Sequence, residues 1–405
     1  MLASSSTRAG QVDLSVENRL GFDSNVFRST NETEDGTHEI SPMLTVRDAR
    51  DPLEYRFEYR PTYRTFMRTS GIDGADHVAR GSIDWDVTPV DVIRLSGSHY
   101  NGRQFLTEAA DLGTTTVYQV NDRERLRRSD ANAYYGRVLT PTLRLGLEFD
   151  FDDFDASGTS ARSLTDSRAY TGSVSIMKSL SQRLEIGLIG SGRWRENRAV
   201  EPDQVSVPTS PRASSRTNVW DVLGSIRYQI TPTIDAAIQA GPSFIRSEQF
   251  PNGVRGLLHD ESSSINVFAV GSLSKRWQNG DADASYVRSE ARSGNVASSS
   301  SISDVLSLDV DQRLTERWRV GASVSWNRLE QITSQQGLSG RFRIEAIRSA
   351  FKLDFAWTSR VFLLAQYRYT RQDTKNSTFG SNRSAEVDLH LAFIGLRYTF
   401  DPILY

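Results

Sequence analysis

The chain has 405 residues, 38 % of them hydrophobic and 24 % charged, with 48 basic and 50 acidic side chains and no cysteine. Lack of cysteine excludes a disulfide framework, thiolate catalysis and zinc–thiolate sites, and a net charge of −2 lacks the basic surplus of a nucleic-acid binder. No apolar run approaches the ~18 residues of a transmembrane helix, yet 10 % of the residues are aromatic at a mean hydropathy of −0.46. That combination is expected of a wall whose apolar side chains face lipid on one side only.

Residues 1–10 are small and polar and hold no apolar stretch of a signal peptide. They are read as a flexible N-terminal segment of a mature or trimmed chain, ahead of a single domain at 11–405. From Val12 the even positions are Val12, Leu14, Val16, Asn18, Leu20 and Phe22, and the odd ones Asp13, Ser15, Glu17, Arg19 and Gly21. This period of two is the mark of a strand with one apolar and one polar face. At 53–64, Leu53, Tyr55, Phe57, Tyr59 and Tyr63 fall on one side and Glu54, Arg56, Glu58, Arg60 and Arg64 on the other. A helix would mix the two sets on every face.

The alternation predicts further strands near 38–48, 53–67, 75–87, 91–100, 129–139, 142–153, 164–178, 183–194 and 217–230. It continues at 233–245, 264–276, 281–290, 303–312, 317–327, 342–356, 361–370 and 386–400. The segment 303–312 is the weakest, because Val305, Leu306, Leu308 and Val310 do not keep one parity. Short turns are placed at Thr88-Pro89, Thr140-Pro141, Ser181-Gln182, Thr231-Pro232, Asn279-Gly280, Thr315-Glu316 and Thr358-Ser359, where Pro, Asn and Gly reverse the chain cheaply. Between them lie polar loops at 23–37, 101–127, 195–216, 246–263, 291–302, 328–341 and 371–385. The loops 101–127 and 195–216 are long enough to fold inward as constrictions.

Short turn alternating with long loop is the asymmetry of an outer-membrane barrel. A strand of about 11 residues tilted about 40° spans roughly 28 Å, enough for the apolar band. The predicted fold is therefore all-β: a single closed antiparallel transmembrane β-barrel of about 18 strands (16–18), with short periplasmic turns and long extracellular loops. A propeller or solenoid would bury both faces of most strands, which the charged face here does not permit. Export to the outer membrane of a Gram-negative bacterium fits the aromatic end of the last strand, at Phe400 or Tyr405.

If the apolar parity faces lipid, the other lines a lumen. The candidates are Glu54, Arg56, Glu58, Arg60, Arg64, Arg68, Arg80, Arg144, Glu148, Arg183, Glu185, Arg319 and Arg368. Glu17, Arg19, Asp76, Asp84, Asp86, Asp150, Asp152, Arg193, Arg343 and Glu345 extend the set. Both signs are interleaved, so mild ion selectivity is expected. Such charges offer guanidinium groups to carboxylates or phosphates, or pair across strands and keep the lumen wet and rigid.

The chemistry of an enzyme is not evident. His38, His77, His99, His259 and His390 have no metal-ligand spacing, and no nucleophile elbow, P-loop or zinc-protease motif occurs. The run Asp150, Asp152, Asp153, Asp155 lacks the regular spacing of a calcium loop, which favours a solvated acidic rim over a Ca²⁺ site. No cofactor and no metal are expected.

One segment goes beyond barrel statistics. Residues 17–29, Glu-Asn-Arg-Leu-Gly-Phe-Asp-Ser-Asn-Val-Phe-Arg-Ser, set a first strand directly before a turn, and Ile-Ser-Pro-Met-Leu-Thr-Val follows at 40–46. This hairpin resembles the N-terminal hairpin of an outer-membrane β-barrel porin family found among exopolysaccharide and capsule export genes. The resemblance implies a barrel near eighteen strands that assists secretion of a surface polysaccharide. It gives Asp23 and Asn25 the role of capping the turn and Phe27 that of anchoring it. The partners it implies are outer-membrane lipid, lipopolysaccharide and polysaccharide-export machinery, with no nucleic acid. A general or substrate-specific diffusion porin, or a non-transport barrel such as an adhesin, assembly factor or outer-membrane enzyme, are the alternative readings.

Overall fold

The computed structural model describes residues 10–26, 33–103, 125–157, 166–198, 213–251, 260–290, 301–335, 338–378 and 381–404. The segment 1–9, Phe27, His259 and the loop cores 104–124 and 199–212 lie outside the described residues.

The strands are β1 (Gln11–Asp23), β2 (Asp35–Arg50), β3 (Leu53–Phe66), β4 (Gly74–Thr88), β5 (Asp91–Arg103) and β6 (Arg125–Thr140). Then come β7 (Leu143–Ser157), β8 (Asp166–Ser179), β9 (Leu184–Arg198), β10 (Ala213–Thr231), β11 (Ile234–Pro251) and β12 (Asp260–Trp277). The wall is completed by β13 (Gly280–Glu290), β14 (Ser301–Arg313), β15 (Trp318–Gln335), β16 (Leu338–Ala356), β17 (Val361–Thr378) and β18 (Ser381–Thr399). A two-residue β19 (Ile403–Leu404) pairs with Gln11 and Val12.

Each strand pairs antiparallel with its neighbours in sequence, and β18 closes on β1 from Ser15↔Thr399 to Asp23↔Leu391. The result is a closed barrel of eighteen strands. Closure gives every wall strand two partners, which hydrocarbon demands because it offers no hydrogen bonds to an open edge.

The barrel is inside-out. Leu20, Ile265 and Ile394 point outward and are 58 %, 71 % and 74 % exposed, while Glu39, Ser303 and Ser247 point inward and are buried. Trp318 and Trp326 share the outward face of β15, eight residues apart. At ~3.3 Å per residue and ~40° tilt they are separated by about 20 Å along the membrane normal. Trp318 stacks on Phe355 near the short turns, with ring centroids 4.5 Å apart. Tyr170 meets Trp194 near the other end at 5.5 Å. These aromatic levels bound the apolar band, and an all-antiparallel closed barrel with this exterior is an outer-membrane protein.

The short turns share a device. The hydroxyl of Thr88 accepts the amides of Val90 and Asp91, Ser181 those of Arg183 and Leu184, Thr315 those of Arg317 and Trp318, and Thr358 those of Arg360 and Val361. A side-chain oxygen thus replaces a backbone turn bond two or three residues on. The Asp51-Pro52 peptide in the turn between β2 and β3 is cis.

Two expectations are corrected, and the weakest strand is borne out. Segments 328–341 and 371–385 are largely strand: β15 and β16 stay in register from Trp318↔Phe355 to Gln335↔Leu338, and β17 and β18 to Thr378↔Ser381. These hairpins continue past the upper aromatic level, where lipid no longer imposes apolar alternation on the outer face. The mixed parity of 303–312 resolves because Leu306 and Leu308 face lipid while Val305 turns inward with Ser303 and Ser307. Arg343 and Glu345 share the outward parity of Ile347 and Phe351, whereas Ile344 and Ala346 are the buried, inward residues.

Candidate functional site in the lumen

The first hairpin shows how sequence sets the rim. Asp23 Oδ1 accepts the amide of Asn25 at 3.0 Å, and both side chains are buried. Val26 then inserts between Phe66 and Ile72, so an apolar anchor of this turn is Val26, one residue before Phe27.

The pleat divides the charged candidates. Glu54, Arg56, Glu58, Arg60 and Arg64 occupy the inward positions of β3, Arg80 that of β4, and Arg144 and Glu148 those of β7. Glu185, Arg319 and Arg368 occupy inward positions of β9, β15 and β17. Arg68 lies two residues past the end of β3, and its exposed guanidinium is 3.8 Å from Glu34. Arg183 lies in the turn before β9, where its carbonyl accepts the amide of Gln229.

Many inner charges are paired. Arg56 meets Glu58 at 3.2 Å, Arg128 meets Asp152 at 2.8 Å, Arg319 meets Asp311 at 2.6 Å, and Arg144 approaches Glu185 at 4.0 Å. Glu148 and Asp150 both accept from the Asn132 amide. Alternation splits the acidic run across the wall: Asp150 and Asp152 face inward, while Asp153 binds Arg168 and Asp155 binds Arg127 outside. No group of three or more metal-ligating side chains converges among the described residues.

A hub absent from the sequence-derived candidates forms on Glu39 of β2. Its carboxylate takes Arg64 Nε at 2.5 Å and Arg19 at 3.4 Å, and the positive field of Arg368 reaches it from β17. Arg19 can lie along the closing seam because its neighbour on β18 is Gly395, where a Cβ would sit 2.6 Å from its Cγ and 2.8 Å from the Asn18 carbonyl. The same guanidinium lies 5.6 Å from the centre of the Phe393 ring. Further up the wall, Glu290 at the end of β13 turns inward to Arg195 at 2.8 Å and Arg193 at 3.7 Å, joining strands four positions apart.

The four described histidines face outward and bond to side chains on neighbouring strands. His77 meets the Tyr59 hydroxyl, His99 Ser129, His38 Asn18 and His390 the Tyr367 hydroxyl.

Two inner cavities stand out. One, of about 1070 Å³, lies toward the short turns and is bordered by strands from β4 to β11, including Arg94, Arg144, Glu148, Glu185 and Arg227. The other, of about 220 Å³, surrounds the Glu39 hub and reaches from β16 to β3.

No family model matches the chain, and no curated protein matches it. Among solved structures, similar ones include the open form of the ferric-catecholate import receptor Fiu from E. coli K12, at 10 % identity and TM-score 0.46, covering 95 % of this chain and 81 % of that one. The FrpB iron transporter from Neisseria meningitidis is similar at 10 % identity and TM-score 0.47, over 96 % and 81 % of the two chains. The siderophore receptor PirA from Pseudomonas aeruginosa is similar at 11 % identity and TM-score 0.41, over 96 % and 80 %. At such identities the likeness concerns architecture alone.

Proposed function

We propose that the protein is an outer-membrane conduit for a hydrophilic solute and that it assists export of a surface exopolysaccharide. The observation that carries the conduit is the inner wall itself, with ionised or hydroxyl side chains on its strands and open cavities at two places along it. A wall kept polar in this way lets a hydrated solute exchange water for side-chain hydrogen bonds at little cost. The polysaccharide is supported by the first hairpin, whose Asp23-x-Asn25-Val26 turn resembles that of barrels associated with capsule and exopolysaccharide genes.

The test is deletion of the gene in its host, with surface polysaccharide measured by extraction and by staining of intact cells. Loss of the polymer, restored by the gene on a plasmid, is the expected result. Unchanged polymer with altered uptake of small hydrophilic solutes would instead favour a diffusion porin, which the interleaved charges of the inner wall would also serve.

A further inference from the structure

The cavity around Glu39 carries more positive charge than its own carboxylates can satisfy. Arg19, Arg60, Arg64, Lys352, Arg368 and Arg397 line it together with only three acids, Glu17, Glu39 and Asp354. Two of the acids are already engaged: Glu17 by Arg19 at 2.9 Å, and Glu39 by Arg64 and Arg19.

Arg60 is left over. It stands near the middle of β3, its Nε is buried without a hydrogen-bond partner, and among the described residues its guanidinium forms no ion pair. Lys352 and Arg397 likewise make no salt bridge among the described residues. Arg397 is held against the Phe362 ring at 4.9 Å, which fixes the plane of its guanidinium and leaves N–H groups for an acceptor. A buried donor without a partner costs free energy unless something supplies an acceptor. Planar guanidinium groups match oxyanions in two-pronged geometry.

We propose that this wall is a binding subsite for oxyanions borne by a saccharide, carboxylate or phosphate groups on a sugar unit, with Arg60, Lys352 and Arg397 as the ligating cations. Phe393 and Leu364 line the same cavity and give an apolar surface for the C–H face of the ring. The inference rests on the conduit reading and narrows its solute from any hydrophilic glycan to an acidic one. Arg19, Arg64 and Arg368 gather on Glu39 and position the site.

The test is calorimetric titration of the full-length, detergent-folded protein with trigalacturonate, glucose 6-phosphate and maltotriose. The expected result is binding of trigalacturonate, of glucose 6-phosphate, or of both, at least about tenfold tighter than maltotriose. That preference should fall about tenfold in Arg60→Ala plus Lys352→Ala and be partly kept in Arg60→Lys. Which anionic probe binds identifies the source of the oxyanion. Heat-modifiable gel mobility confirms that each variant is folded, and single Arg60→Gln replaces the double variant if that one fails to assemble. Equal affinity for maltotriose, no binding of either anion, or undiminished preference in the variants would overturn the subsite. Potassium chloride conductance of the same protein separates the two ideas. Conductance without anion preference removes the subsite alone, and anion preference without conductance removes the conduit alone.

Discussion

Glu39 and Arg64 lie side by side across β2 and β3, Oε1 to Nε at 2.5 Å, with side-chain exposures of 2 % and 8 %. Glu39 is the common acceptor of guanidinium groups from β1 and β3, so it ties the closing seam to the wall beyond it. Glu39→Ala removes the acceptor and leaves buried cations facing one another. Breaking a buried pair in this way costs about 3–5 kcal/mol. The temperature at which the folded band converts to the unfolded band on gels should fall clearly, and an unchanged transition would contradict the hub.

Gly241 tests the wall itself. A Cβ at this position would stand 2.0 Å from the Val222 carbonyl oxygen and 3.0 Å from the Leu223 Cα, both backbone atoms with nowhere to go. Gly241→Ala should therefore hinder assembly, seen as loss of the heat-modifiable folded band. At Gly271 an added Cβ meets nothing within 4 Å, so Gly271→Ala should assemble as the wild type does. Equal behaviour of the two variants would contradict the packing at β10 and β11.

The Thr88–Asp91 turn gives a pH dependence. Asp91 accepts the Tyr135 hydroxyl at 2.7 Å and the Thr88 hydroxyl at 2.8 Å. Those bonds, helped by the charge of Arg137, hold its carboxyl below the ordinary aspartate value of 3.8 against the opposing effect of burial. A depressed folded pKa stabilises the protein above the unfolded value, and the contribution is lost as pH falls through the folded one. The thermal transition should therefore drop as the pH falls below the ordinary aspartate value, and Asp91→Asn should remove that component of the drop. The same drop in both proteins would place the titration elsewhere.

Charge reversal probes the inner face. Arg56→Glu plus Arg60→Glu changes the lumen by four units of charge on one strand. The reversal potential in a salt gradient should shift toward cation selectivity. An unshifted potential would contradict the inward placement of these two residues.

The strand rhythm was legible because lipid and water impose opposite demands on successive residues, as at Leu53–Arg64. It failed where that demand lapses. Beyond Trp326 the outer face no longer meets lipid, so Arg328 and Glu330 pair with each other outside the barrel and the segment reads as loop, although Leu329 stays buried inside. Arg343 and Glu345 are likewise outward, since a charge on a strand marks the lumen only at membrane depth. Val305 blurred its strand because a lumen tolerates an isolated apolar side chain. The Glu39 hub and the Glu290–Arg195 bridge depend on register and closure, which bring together residues from separate strands and leave no local pattern. The hydroxyls of Thr88, Ser181, Thr315 and Thr358 recur at four of the short turns as a Ser or Thr ahead of the next strand, a signal that residue composition alone does not tie to the amides it accepts.

The central claim, that one parity touches acyl chains and the other an aqueous interior, is tested most directly by cysteine scanning of β3 in liposomes, since the chain has no cysteine of its own. Arg56→Cys, Glu58→Cys and Arg60→Cys are predicted to react with a charged, membrane-impermeant thiol reagent. Phe57→Cys and Tyr59→Cys, carrying a fluorophore, are predicted to be quenched by spin-labelled lipid and to resist the charged reagent. Uniform labelling along the strand, or the reverse alternation, would contradict the account.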